Sequence, residues 1–129
     1  MAIRTRTLLI ALIIILKAPS ALAQERTPRL MQAPPKVFID CHQCDLNYIR
    51  SEITFVSFVR ERTEADIHIL ITIQSTAEGG REYTLNFIGR NNFYDLNNTL
   101  KYTSSRMDSA DAERKGLVRV LKVGLVPFL

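Results

Sequence analysis

"ADIHILITIQSTAEGGREYTLNFIG", Ala65 to Gly89, is the stretch whose reading decides the fold. Ile67, Ile69, Ile71 and Ile73 alternate with Asp66, His68, Leu70, Thr72 and Gln74. A period of two is the mark of a strand with one buried face. "AEGG" turns the chain, and Tyr83, Leu85 and Phe87 form the apolar face of the returning run. Residues paired across a hairpin point to the same face. The odd-numbered isoleucines therefore oppose Tyr83, Leu85 and Phe87, which requires a loop of odd length. Three residues fit, with Gly79 or Gly80 supplying the positive φ. A loop of two or four residues would set Thr84 and Asn86 against the isoleucines instead.

Upstream lies "KVFIDCHQCDLNYIR", Lys36 to Arg50. "KVFID" is short, β-branched and aromatic, and predicts a strand. Asp45 is placed to cap a helix through Ile53. Leu46, Ile49, Ile53 and Val56 share one helical face. The run Thr54 to Val59 predicts a strand, with Phe55, Ser57 and Val59 on one side. Downstream, "RNNFYDLNNTLKYTSSRM" reads as an Asn-rich loop with a short strand at Thr99 to Thr103. Asn97-Asn98-Thr99 matches a glycosylation sequon and is read as a chance match. Asp108 is placed to cap a final helix, with Asp111 in its first turn. Leu117, Leu121 and Leu125, joined by Val118, form its apolar stripe, and Lys115, Arg119 and Lys122 its polar side. Pro127 ends it. The expected fold class is α+β: a small, mostly antiparallel sheet with a long hairpin and two helices packed on one face. Leu70 interrupts the polar face of its strand, so partial cover is expected on the second face.

The amino terminus reads differently. Arg4 and Arg6 precede the unbroken apolar run Leu8 to Leu16, and Ala21-Leu22-Ala23 fits a small-x-small cleavage site. That is the layout of a secretory signal peptide over residues 1–23. Nine apolar residues are too few to span a bilayer as a helix, which takes about 20. Lys17 is unusual in this layout, and an uncleaved anchor is the competing reading. Residues 24–35, with three prolines, read as a tether, and residues 36–129 as one domain. The leader holds three of the 17 basic residues and no acid, leaving 14 basic against 13 acidic, a charge of about +1. The mature chain thus lacks the basic surplus expected of a nucleic-acid binder.

Cys41-His42-Gln43-Cys44 is the one constellation that could carry chemistry. Two cysteines in an exported chain favour a disulfide between Cys41 and Cys44. A redox dithiol is the competing reading, because a strand precedes the pair and a helix follows, which stabilises a thiolate. Against it, a thioredoxin-type fold sets a proline opposite the dithiol, and Pro127 is the only one after Pro35. A long hairpin also follows the helix where that fold has a parallel strand. A metal site would enlist His42 with Asp40 or Asp45, but structural zinc takes four ligands, generally from two separated pairs. His68 reads as a polar-face residue beside Asp66 and Thr72. Asp66 and His68 lack the strand–turn–helix context of a nucleophile elbow. "EGG" lacks a following Lys-Ser or Lys-Thr and is not a phosphate loop. The basic last helix reads as packed on the sheet, with docking to a partner or membrane surface as its alternative. No catalytic residue, cofactor, metal ligand or small-molecule substrate is assigned.

"VFIDCHQCDLNYIRSEITFVSFVRERTEADIHILIT", "GGREYTLNFIG" and "RKGLVRVLKVGL" together resemble the amino-terminal region of a group of uncharacterised bacterial envelope proteins. In those, a small periplasmic-type domain precedes a carboxy-terminal outer-membrane β-barrel. The element order is also similar, at the level of topology, to the amino-terminal domain of the translocation protein TolB. The first resemblance spans Val37 to Leu125 and carries no known chemistry. It implies an exported, non-enzymatic binding or assembly module, in the periplasm or on the periplasmic face of the outer membrane. Its partner would be an envelope protein or a membrane region beyond Leu129, where this chain stops short of a barrel. The alternative is a periplasmic thiol-disulfide oxidoreductase using Cys41-His42-Gln43-Cys44.

Overall fold

The computed structural model describes residues 33–129. The expected signal peptide over residues 1–23 and most of the expected tether lie outside them. Within them the elements run β1 (Lys36–Asp40), α1 (Leu46–Glu52), β2 (Ser57–Phe58), β3 (Ile67–Ser75), β4 (Arg81–Gly89), β5 (Asn97–Thr103) and α2 (Ala110–Leu125). The strands form one sheet in the order β2-β1-β3-β4-β5. The class is α+β and the sheet is mixed, its longest pairings antiparallel. β1 lies parallel to both β2 and β3, while β3, β4 and β5 run antiparallel.

β3 and β4 pair from Ile67↔Gly89 to Ser75↔Arg81, with Ile69↔Phe87, Ile71↔Leu85 and Ile73↔Tyr83 in register. Thr76 N–H donates to the Gly80 carbonyl, leaving Ala77, Glu78 and Gly79 as the turn. Gly79 takes φ +87°, and its N–H closes back on the Thr76 carbonyl. A side chain there would cost conformational strain that glycine avoids.

The odd-numbered residues of β3 and β4 meet Val37 of β1, Ile49 and Ile53 of the α1 segment, and Leu117, Leu121 and Leu125 of α2 in one core. Two glycines let α2 approach the sheet. A Cβ on Gly124 would stand 2.0 Å from Phe87 Cζ, and one on Gly116 would stand 2.1 Å from the Tyr102 hydroxyl.

Several details depart from the sequence reading. Pro35, just before β1, already bonds to β2: its carbonyl accepts from Ser57 N–H at 2.9 Å. The strand expected over Thr54 to Val59 shrinks to two residues, and its buried side chain is Val56, with Phe58 half-buried opposite Val37. Phe55 and Ser57 are exposed, so the side expected to carry Phe55, Ser57 and Val59 is the one turned away from the core. Parity there is set by pairing to β1, which a six-residue window cannot reveal. The α2 cap is Ser109, whose Oγ accepts from Ala112 N–H; Asp108 instead accepts from Ser105 N–H one turn earlier. α2 closes at Leu125, and Pro127 sits inside a following 3-10 turn, Val126–Phe128.

Candidate functional site

β1 ends at Asp40, and the chain turns at once through Cys41-His42-Gln43-Cys44 into α1. Cys41 and Cys44 sit at disulfide distance, with Cα atoms 5.6 Å apart. That spacing lies within the range a disulfide spans. Among the described residues there is no cluster of three His, Cys, Asp or Glu that could hold an ion. Asp45 caps α1: its carboxylate accepts from Tyr48 N–H at 3.0 Å. One of the amides that would otherwise steady a Cys44 thiolate is thereby taken by a neighbouring negative charge.

The loop borders two depressions. The first, a cleft of about 460 Å³, lies between Cys44 and Asp45 on one side and Asp111, Glu113 and Arg114 on the other, with Tyr83 at its floor. Its charges are used up among themselves. The Tyr83 hydroxyl donates to Glu113, and Arg81 Nε stands 3.5 Å from the same carboxylate. Arg114 donates twice to Asp111, approaches Asp45 at 3.6 Å, and lies 4.3 Å over the Tyr48 ring. Burial, then the bond to Glu113, pushes the Tyr83 phenol up to about 12. The Arg114 contacts to Asp45 and the Tyr48 ring tie α1 to α2 across the cleft. The second depression, a groove of about 290 Å³, runs between Cys41, His42 and Gln43 and the β3 residues Ile71, Thr72 and Ile73.

The sheet face away from the core carries Phe38 and Asp40 of β1, His68 and Leu70 of β3, and Ile88 of β4, in adjacent register. His68 lies on this face away from the core, as expected, but it is covered. Its side chain is only 12% exposed, with Nε2 3.6 Å from Asp40 Oδ2 and its ring 5.4 Å from that of Phe38. Burial, then the Arg62 guanidinium, hold its pKa below the usual value, against the opposite pull of Asp40. Nε2 is buried without a hydrogen-bond partner. Asp66 turns to the backbone, accepting from Lys36 N–H at 3.0 Å, so it and His68 form no catalytic pair.

Two features escaped the sequence reading. β2 lies parallel to β1 after α1, so the parallel strand counted as missing against a thioredoxin-type reading is present. The partnership of Tyr83 with Glu113 links residues 30 apart, and no local pattern signals it. Among the described residues, no helix is long and apolar enough to cross a membrane. Comparison with protein-family models, with curated proteins and with solved structures returns no match.

Proposed function

We propose that this chain is an exported envelope domain that binds a protein partner and does not transform a substrate. The observation that carries the reading is the sheet face bearing Phe38, Leu70 and Ile88, which stands opposite the helix-lined core. Ile88, the last residue but one of β4, is 38% exposed, where a solvated face would carry a polar residue. Arg62 stacks over Phe38 at 5.9 Å and lends the patch a cationic margin. Apolar surface of this kind marks interaction sites. Export is supported by the leader pattern of residues 1–23 and by a cysteine pair suited to an oxidising compartment. The likeness to barrel-linked envelope domains, and the looser one to the TolB amino-terminal domain, agree with a periplasmic setting. They make an envelope protein, or a carboxy-terminal membrane region, the partner of choice.

The oxidoreductase alternative draws on one observation, the Cys41–Cys44 pair set between a strand and a helix with parallel strands alongside. The Asp45 carboxylate beside Cys44 opposes it, because it stabilises a thiol over a thiolate. Two measurements separate the readings. Photo-crosslinkers at Leu70 and Ile88 should give discrete adducts in intact cells, whereas one at Glu78 in the hairpin turn should not. Turnover of a dithiol substrate that is lost in Cys41→Ser would establish the oxidoreductase instead. Mass spectrometry of the envelope fraction should find the amino terminus at or near Gln24; intact Met1 chains in the cytoplasm would count against export.

A further inference from the structure

β1 and β3 part halfway along β3. Their parallel pairing runs from Val37↔Ile67 to Asp40↔Leu70 and stops where the chain turns into the disulfide loop. β3 continues to Ser75, paired with β4 as far as Ser75↔Arg81. The five residues Ile71 to Ser75 therefore have a strand neighbour on one side only. Along a strand, successive residues turn their N–H and C=O to opposite edges. Thr76 donates toward Gly80, on the β4 side. By alternation Thr72 and Gln74 also face β4, and Ile73 and Ser75 present both backbone groups to the open side.

Unpaired ladder groups are a template for one kind of ligand, another extended backbone. The outer edges of the sheet are poor templates. β2 is two residues long. β5 is polar, and its Lys101 pairs with Glu82 at 3.3 Å, a charged edge of the sort that resists strand addition. The break beside β3 differs from both, because the groove between Cys41–Gln43 and Ile71–Ile73 lies along it. The disulfide draws the loop into a tight closure, so His42 and Gln43 do not continue the line of β1. Unpaired backbone and open space thus coincide.

We infer that Ile71–Ser75 is a docking slot for an extended peptide segment of a partner protein, added as a strand between β3 and the Cys41–Cys44 loop. The inference rests on the binding reading above and specifies how the partner is held. Main-chain bonds to Ile73 and Ser75 fix the segment. The half-buried Ile73 side chain meets one of its faces, and the exposed Thr72 and Gln74 lie on the other. The preferred segment alternates apolar and polar residues and has no proline at the bonded positions.

Amide hydrogen exchange on the labelled, full exported chain tests this. The probe is an acetylated, amidated heptapeptide of alternating threonine and valine between terminal lysines. In the free chain, Ile73 and Ser75 amides should exchange fast, while Thr72 and Gln74 are protected by β4. The probe should slow Ile73 and Ser75 by about tenfold or more. The same peptide N-methylated at every central residue should leave them unchanged. Slow exchange at Ile73 and Ser75 in the free chain would mean that the loop itself fills the slot, and would overturn the inference. So would protection by the probe confined to β5. Probe protection at Ile73 and Ser75 without sheet-face crosslinks in cells would keep the slot and sink the Phe38, Leu70 and Ile88 face as the docking surface. Crosslinks without probe protection would sink the slot alone.

Discussion

At the scale of single residues, the sheet holds an ionisable group where water does not reach well. His68 sits among Phe38, Asp40 and Arg62 with Nε2 unbonded. Its folded pKa lies below the unfolded value, chiefly through burial. The unfolded chain therefore binds the proton more readily, and stability rises with pH across this window. The contribution is complete above the unfolded pKa of about 6.5 and is lost as pH falls towards the folded one. Urea midpoints measured from about pH 7.5 down to about 5.5 should fall for the wild type and stay flatter for His68→Gln. Asp40→Asn should steepen the fall, because it removes the one charge that favours the imidazolium; an unchanged slope would rule out His68 as the source. Gly124 is governed by space alone. Alanine is worth about 1 kcal/mol more than glycine inside a helix. Here the added Cβ would overlap the Phe87 ring. Overpacking costs about 1–3 kcal/mol and wins, so Gly124→Ala should lower the denaturation midpoint where helix propensity alone would raise it.

At the scale of elements, legibility tracked how local the deciding interaction is. The β3–β4 register was readable because four isoleucines and three facing apolar residues leave one parity that buries both sets. The Asp45 cap was readable because its bond spans three residues. The mixed sheet was not, because β1 reaches β3 across 30 positions and nothing in "KVFID" encodes a parallel neighbour. Nor was the covered His68, since its neighbours Asp40 and Arg62 come from other elements. The cysteine count pointed to Cys41 and Cys44 as partners, and they lie at disulfide distance, but the break in pairing beside them required the endpoint of β1. The single-faced character of β3 has a direct measure. Ile71 is buried and Thr72 exposed, one position apart. Ile71→Ala should destabilise by about 2–5 kcal/mol. Thr72→Ala should change stability by well under about 1 kcal/mol, as surface substitutions generally do. Equal effects at the two positions would refute the assignment of faces.

At the scale of the whole molecule, the question is what the disulfide contributes to the stability of the domain around it. The Cys41–Cys44 loop spans four residues and sits at the edge of a core built by β3, β4 and α2. Cysteines three apart constrain little of the unfolded chain, and the loop-entropy relation gives about 2 kcal/mol for so short a closure. The core residues Ile69, Leu85, Phe87, Leu121 and Leu125 are fully buried, while Cys41 and Cys44 pack against that core only partly buried. The Cys41→Ser, Cys44→Ser double variant should therefore keep a cooperative transition and lose about 2 kcal/mol. For a domain of this size, each kcal/mol corresponds to about 4–8 °C in Tm. Wild-type protein unfolded without reductant should show no free thiol. Wild-type protein kept reduced should melt with the double variant, because both lack the same constraint. Added zinc should leave both melting temperatures unmoved, since a ligand raises Tm only by binding the folded state, and the pair with His42 falls one ligand short of a tetrahedral site. A loss well beyond this, with a non-cooperative melt, would place the disulfide in the nucleus of the fold. A zinc-dependent rise in the reduced wild type alone would make the pair a metal site that the oxidised form conceals.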